Sequence, residues 1–418
     1  MSDVIRVGLV GCGRIMPAHL RGYQTLWDAG YRNFRITALC ARRMHDAETF
    51  RKRGEGPPPR PPCTDDKTDP LGAPHSYVSD IHDDVDVQLY DDYERMIAEA
   101  PIDAVDVYAS VFTHHQIGVS ALAAGKHLMV EKPFTVSVQA GRRLVELAAE
   151  KGLTLAVAEN VRYSPSTRKR ALAVQGGAIG DLQMYVNTSV GNALWGPDKI
   201  VADTAWRHRK VEAGGGISVD LGAHLFNRIR HICGEIDSVN GCADTWEKVR
   251  YRRDAAGNIL ETVECDADDT FFANLRFANG AVGSCSLSWA GRGAPTGLTT
   301  GDVLYGSNGS LHGGTITRPD HATESLDDWL KANVPQQNWD ALFPMGVTDN
   351  FALETHAWLD GIEHGRDPET SGREGLRDIA VCFAILESAA LGREVRVADV
   401  ESGAICGYQQ EIDQHWGL

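Results

Sequence analysis

Glu131-Lys132-Pro133 follows a short apolar run, His127 to Val130, and puts a lysine at the end of a predicted strand. A lysine there is an adjustable base, because burial beside apolar atoms or a second cation lowers its pKa and lets it accept a hydroxyl proton. The tripeptide alone also reads as a plain strand-to-helix turn with Pro133 early in the helix. A second group lies far downstream in Gly214-Gly215-Gly216-Ile217-Ser218-Val219-Asp220-Leu221-Gly222-Ala223-His224. Leu221, Leu225, Ile229 and Ile232 follow helical spacing. Asp220 and His224 are then one turn apart on one face and can interact. A carboxylate that orients a histidine fixes its tautomer and favours the imidazolium, as a group taking a proton from an alcohol requires.

These residues need a scaffold, and the chain begins with one. Val4 to Val10 is an apolar strand running into Gly11-Cys12-Gly13-Arg14-Ile15-Met16 and a helical stretch through Leu26. Gly11 suits the tight turn, Gly13 lets backbone approach a pyrophosphate, and the helix start offers amides and a positive dipole end. Met16 replaces the third glycine of that fingerprint, which predicts looser closure of helix on strand. A second strand, Phe34 to Cys40, ends in Ala41-Arg42-Arg43, where a site for NAD usually carries an acid for the ribose 2′-hydroxyl. Asp46 comes several residues later. Two guanidinium groups suit a 2′-phosphate and predict NADP, with NAD the alternative.

Taken together, Gly11-x-Gly13, Glu131-Lys132-Pro133 and the Gly-Gly-Gly-x-x-x-Asp220-x-Gly222-x-His224 run resemble the glucose-fructose oxidoreductase and inositol dehydrogenase family (Gfo/Idh/MocA). Ala121 to His127, Trp206-Arg207, Tyr305 to Leu311 and Ile385 to Arg393 also have counterparts there, so the resemblance covers nearly the whole chain. It implies that Lys132 and His224 share acid/base work at a substrate carbinol while Asp220 binds or orients a neighbouring hydroxyl. It implies cofactor contacts at Gly11, Gly13, Arg14, Ile15, Arg42, Arg43, Ser110, His114, Glu131 and Lys132. Substrate contacts are expected from Asn160, Arg162, Tyr163, Trp206, Arg207, Asp220 and His224. The chain departs from the family before His114, where the usual Thr-Pro-Asn reads Ala109-Ser110-Val111.

Alternating strands and helices from residue 4 to about 157 predict an α/β Rossmann domain with a doubly wound parallel sheet over 1–157. Strands are expected at 4–10, 34–40, 104–109, 127–130 and 153–157. Residues 54–90 break the rhythm with Pro57-Pro-Pro-Arg-Pro-Pro62 and an acidic stretch, and insertions of this length serve as lids, oligomer arms or mobile segments. Residues 158–418 predict an α+β domain with an open, largely antiparallel sheet. Period-two strands fall at 184–190, 270–277 and 281–288, with a hairpin at Asn279-Gly280. A final helix, about 373–391, is expected to pack back on the first domain. The resemblance implies a homo-oligomer, a dimer or tetramer.

The 418 residues carry 57 acidic against 41 basic side chains, a net charge of -16, which opposes nucleic acid and anionic membranes. Arg207-His208-Arg209-Lys210 stands out against that background and is a candidate for an anionic substrate group, or simply a solvated turn. No apolar run approaches a membrane span. Met1-Ser-Asp-Val lacks the features of a signal peptide, and the nine scattered cysteines read as reduced and mostly buried; both predict the cytoplasm, with no metal site.

The expected activity is hydride transfer between NAD(P) and a secondary alcohol of a sugar, cyclitol or sugar derivative. One alternative is redox-neutral glycoside cleavage by oxidation, elimination and re-reduction, with the basic run receiving an anionic glycoside. Another is a non-catalytic sugar- or nucleotide-sensing regulator, against which Lys132, Asp220 and His224 argue.

Overall fold

A computed structural model describes residues 4–191 and 195–418. The expectation drawn from Met1-Ser-Asp-Val falls mainly on residues 1–3, outside the described residues. The chain divides into two compact units: residues 1–135, 140–164 and 343–376, and residues 136–139, 165–342 and 377–418.

The first unit is built on β1 (Ile5–Val10), β2 (Phe34–Cys40), β3 (Gln88–Tyr90), β4 (Ala104–Val107), β5 (His127–Glu131) and β6 (Leu155–Ala158). All are parallel, in the order β3-β2-β1-β4-β5-β6. A strand covered on both faces must be apolar throughout. Val7 and Leu9 of β1 and Ile36 and Leu39 of β2 have no exposed surface, each burial contributing about 2 kcal/mol. The order reverses at β1, so a crevice opens between the ends of β1 and β4.

Helix α1 (Met16–Asp28) follows β1, α2 (Met44–Arg51) follows β2, α3 (Tyr93–Glu99) follows β3, and α4 (Val111–Ala123) follows β4. Met16 does not loosen the packing. Its flexible side chain is fully buried in the core cluster with Leu9 and Leu20. The later segment also completes this unit, because the helix Asn350–His364 packs on α1. A Cβ on Gly22 of α1 would lie 2.8 Å from the Phe351 carbonyl carbon, so only glycine allows that approach.

The interval 54–90 is largely irregular, with short 3-10 turns at Pro70–Gly72 and Val78–Asp80. It ends in β3, an edge strand missed in the sequence because three residues are too few to show a period.

The second unit carries a nine-stranded mixed sheet. Its strands are β7 (Leu182–Val190), β8 (Ile236–Asp244), β11 (Thr270–Phe277), β12 (Val282–Ser288), β13 (Thr296–Gly306), β14 (Gly309–His312), β15 (Thr315–Thr317), β16 (Thr323–Ser325) and β17 (Val395–Arg396). The pair β9 (Val249–Arg253) and β10 (Ile259–Glu264) stands apart from it. Only β7 and β12 run parallel; the other neighbours are antiparallel. Gly280 (φ +90°) turns the chain from β11 to β12.

Alternation assigns the faces. Tyr185, Phe271 and Leu275 point into the core, where Phe271 meets Phe226 of the helix Gly222–Cys233 at 6.2 Å between ring centroids. Met184, Val186, Phe272, Val282 and Tyr305 are exposed. The helix Gly372–Leu391 is not the last element, since β17 and the helices Val397–Glu401 and Gln410–Trp416 follow it. Among the described residues no helix is long and apolar enough to cross a membrane.

Candidate active site

The turn after β1 is shaped by what its backbone must avoid. Gly11 has φ +107°, and a Cβ there would sit 2.6 Å from the Tyr108 carbonyl carbon and the Ala109 nitrogen at the end of β4. Its amide donates to the Cys40 carbonyl at 2.8 Å, which ties the turn to β2. Gly13 is different: a Cβ there would meet nothing within 4 Å. Ile15, at the helix N-cap, offers no side-chain cap, and the first turn of α1 holds no acid. Open space over Gly13 and an anion-receptive helix start fit the pyrophosphate of a dinucleotide.

At the end of β2, Arg42 is exposed, whereas Arg43 is already engaged. Its Nε donates to Asp46 Oδ2 at 2.9 Å, and Arg60 from the 54–90 interval pairs with the same carboxylate. Burial opposes ionisation of Asp46, yet hydrogen bonds from Arg60 and Arg43 hold its pKa below the ordinary value. The two arginines expected to act alike therefore differ.

Ser110 occupies the N-cap position of α4. His114 is buried, with Nε2 3.1 Å from the Ala109 carbonyl and Nδ1 3.2 Å from the carbonyls of Pro133 and Phe134. The expected cofactor contact at His114 is set beside these backbone partners. His114 fastens the start of α4 to the segment after Lys132, and burial pushes its pKa down against the carbonyls that it faces.

Lys132 stands half-buried just past β5, and helix resumes only at Val138, so Pro133 is not an early helical residue. Behind Lys132, Glu131 enters a buried cluster that sequence reading missed. His19 of α1, wholly buried, places Nε2 3.1 Å from Glu131 Oε1 and Nδ1 3.6 Å from Glu354 Oε1. Its ring stacks on Tyr108 at 4.0 Å. Tyr23 and Tyr108 both donate to Asp106 Oδ2. Burial pushes Asp106 up to about 6 against those donors, and burial followed by the nearby Glu131 raises Glu354 well above the carboxylate range.

After β6, Asn160, Arg162 and Tyr163 form a short helix and are all buried. The Tyr163 hydroxyl lies 3.2 Å from Thr370 Oγ1, and Arg162 is 3.6 Å from Glu374. Arg162 and Tyr163, expected to wall a substrate, also pack the later segment into the first unit.

In the second unit the triple glycine is explained by close approach. A Cβ on Gly216 would fall 1.6 Å from the Asp268 carbonyl oxygen. Asp268, fully enclosed, accepts hydrogen bonds from the Gly216 amide at 2.7 Å, the Ser218 amide at 2.9 Å and the Ser218 hydroxyl at 2.8 Å. It caps the helix start that carries Asp220, and the acid-rich run Asp266-Ala-Asp268-Asp269 was its only sequence signal. Short helices Ile217–Asp220 and Gly222–Cys233 join through Leu221, whose backbone stays helical. Asp220 and His224 thus keep one-turn spacing, Asp220 buried and His224 half-buried.

Arg207 Nε donates to Asp220 Oδ2 at 3.3 Å, and its guanidinium lies 4.4 Å over the Trp206 ring. The rest of the basic run also has partners, Arg209 with Glu212 at 3.2 Å and Lys210 with Glu411 at 3.0 Å. His208 accepts the Val201 amide at 3.0 Å; burial, then Arg250 and Arg207, push it down to about 3. The run is balanced by its own unit, which removes the reason to assign it an anionic substrate. All nine cysteines carry free thiols, six of them buried.

In sum, the structure gathers Gly11, Gly13, Arg14, Ile15, Arg42, Arg43, Ser110, Glu131 and Lys132 after the C-terminal ends of β1, β2, β4 and β5, and groups Trp206, Arg207, Asp220 and His224 in the second unit.

Comparison with known proteins assigns both units. Residues 5–159 match the oxidoreductase family with an NAD-binding Rossmann fold, and residues 173–397 match the C-terminal alpha/beta domain of the same family. Levoglucosan dehydrogenase of Pseudarthrobacter phenanthrenivorans is 25% identical over 332 residues, covering 74% of this chain and 84% of the relative. Myo-inositol 2-dehydrogenase of Thermotoga maritima is 25% identical over 314 residues, with 75% and 85% covered. D-apiose dehydrogenase of Paraburkholderia graminis is 24% identical over 408 residues, with 95% and 90% covered. A solved levoglucosan dehydrogenase in complex with NADH and L-sorbose superposes with a TM-score of 0.70 at 21% identity, covering 95% of this chain and 99% of that one, a likeness of fold. With both domain matches in order along one chain, this protein belongs to the Gfo/Idh/MocA oxidoreductase family.

Proposed function

We propose that this enzyme transfers a hydride between a nicotinamide cofactor and the carbinol carbon of a sugar, cyclitol or sugar derivative. One observation carries the reading: the glycine turn, the arginine pair and Glu131-Lys132 follow the C-terminal ends of β1, β2 and β5, at the edge where open parallel sheets bind ligands. Relatives named for levoglucosan, myo-inositol and D-apiose support a polyhydroxylated substrate.

In this reading residues 1–157 hold the cofactor and 158–418 wall the substrate. Gly11 and Gly13 would hold the cofactor's pyrophosphate, and its nicotinamide would supply reversible hydride acceptance. Lys132 and His224 take and return the hydroxyl proton, and Asp220, steadied by Arg207, accepts from a neighbouring hydroxyl. Trp206 offers an apolar ring face to the sugar. Exposed Arg42, with no acid between Cys40 and Asp46, favours NADP over NAD. Nine free thiols support a reducing, cytoplasmic compartment. The exposed Met184, Val186, Phe272, Val282 and Tyr305 support a homo-oligomer through that sheet face.

The test is a sugar and polyol panel assayed with NADP and with NAD. Reduced cofactor accumulating in step with oxidised product is expected, with the lower KM for NADP. Aglycone release from a glycoside with no net cofactor reduction, or no turnover on any member, overturns the reading. Tighter binding of NAD overturns the cofactor preference alone.

A further inference from the structure

The 54–90 interval is irregular but not loose. Arg53 Nη2 reaches Asp80 at 2.7 Å, His75 Nε2 donates to the Thr49 carbonyl at 3.0 Å, and the His75 ring packs on Phe50 at 4.4 Å. Arg60 reaches back to Asp46. These contacts fold the insertion onto α2 and leave a narrow cleft, partly open to solvent. One wall is the glycine turn, the start of α1 and α2, represented by Gly13, Arg14, Pro17, Asp46 and Phe50. The other comes from the insertion, chiefly Arg60, Pro61, Pro62, Cys63 and Leu71.

The position of this cavity is informative. A dinucleotide whose pyrophosphate lies over the glycine turn extends its adenosine toward the end of β2, and the cavity spans that interval. Its chemistry agrees. Proline, phenylalanine and leucine side chains make an apolar slot suited to a flat base. The charged lining is Arg14, Arg60 and Asp46, and Asp46 is shared by Arg43 and Arg60, so the balance left toward a ligand is positive. A flat base attached to phosphate is what such a lining receives.

We propose that the 54–90 insertion is the outer wall of the adenosine subsite, latched to α2 by Arg60, and that Arg60 sets the affinity for adenosine phosphates. The inference rests on the nicotinamide-cofactor reading above and adds the part of the chain that encloses the cofactor's non-reacting half. Arg60 thereby differs from Arg42 and Arg43. It arrives from an insertion rather than from the strand end, and it both closes the wall and faces the cavity.

The test uses the full-length protein. 5′-AMP, 2′,5′-ADP and nicotinamide mononucleotide are titrated by calorimetry into wild type and Arg60→Ala, and hydrogen exchange of residues 57–75 is followed with and without NADPH and NADH. Arg60→Ala is expected to weaken both adenosine fragments by about tenfold or more while leaving the mononucleotide unchanged. In wild type, cofactor is expected to slow exchange at 60–75. Adenosine fragments bound by the variant as tightly as by wild type, or no protection at 60–75 on cofactor binding, overturns the proposal. If wild type binds cofactor and only these results fail, the insertion's role falls and the oxidoreductase reading stands; if wild type binds neither cofactor nor fragment, both fall.

Discussion

The two units support Lys132 and His224, the proposed proton carriers, in opposite ways. Behind Lys132, Glu131, His19, Glu354, Asp106 and two tyrosines form a buried cluster inside the first unit. Beside His224, Asp220 is steadied by a part-exposed arginine lying on Trp206. A buried polar cluster holds geometry rigidly but tolerates no missing member, because a deserted charge cannot reach water. A contact at the rim is weaker and can change without unfolding anything. The contrast teaches that a change near Lys132 threatens the fold, whereas a change near His224 can act on the site alone.

Removing His19 should break the first arrangement outright. In His19→Ala, Glu131 and Glu354 lose the ring that lies within 3.1 and 3.6 Å of them, with an expected loss of about 3–5 kcal/mol. His19→Gln should lose less, since an amide can still bond to a carboxyl. Urea denaturation of both variants checks this, and wild-type stability in the alanine variant would show that the cluster is not under tension.

Next in size, Lys132→Ala and His224→Ala should each lower kcat by about a hundredfold or more. Cofactor affinity should hold for His224→Ala. Steady-state kinetics with fluorescence titration would sharpen the comparison, and near-normal turnover in either variant removes that residue from the proton path.

A pH effect follows from Asp106, at about 6 in the folded protein against about 3.9 unfolded. Below about pH 4 both states hold the proton. Between about 4 and 6 the folded state holds it and the unfolded state does not, so this group's contribution to stability falls as pH rises, by about 2–3 kcal/mol in all. Burial pushes His82 and His115 down to about 4, so their contribution runs the other way, lost as pH drops from about 6.5 through 4. Asp106→Asn should therefore gain on wild type as pH is raised from about 4 to about 6. Denaturation midpoints at a series of pH values would show it, and a constant offset between the two proteins would refute the assignment.

The smallest change is expected at the rim. Arg207→Ala should lower kcat/KM by about tenfold with the melting temperature unmoved, because a partly exposed charged hydrogen bond positions Asp220 without supporting a core. Arg207→Lys should recover little, lacking the planar fork and the stacking face. A large drop in melting temperature would place Arg207 with the buried cluster instead.

Much of this was legible before any coordinates. Gly11, Lys132, Asp220 and His224 sit in short runs where a turn, strand end or helical step fixes the neighbour relation, and period-two alternation located β7, β11 and β12. The buried cluster was invisible because His19, Glu131 and Glu354 come from three distant segments, and no spacing links them. Asp268 escaped notice for the same reason, since its partner is a glycine backbone. The clasps made by His114 and Tyr163 were not legible, because residue type does not tell a buried clasp from a pocket wall. Arg60 was hidden in a proline-rich stretch without periodicity.

The chain path has a consequence for biosynthesis. The first unit needs Asn350–His364, which brings Phe351 against Gly22 and Glu354 beside His19, yet residues 165–342 are made in between. At bacterial and eukaryotic elongation speeds of about 5–20 residues per second, the ribosome takes roughly 10–40 s to bridge that interval. During it the nascent N-terminal half carries an uncovered α1, with His19 lacking its neighbour Glu354. The dinucleotide unit, though first in the message, cannot be completed until residues 343–376 have followed the central stretch of the second unit, and a chain that ends before residue 350 lacks the helix that covers α1.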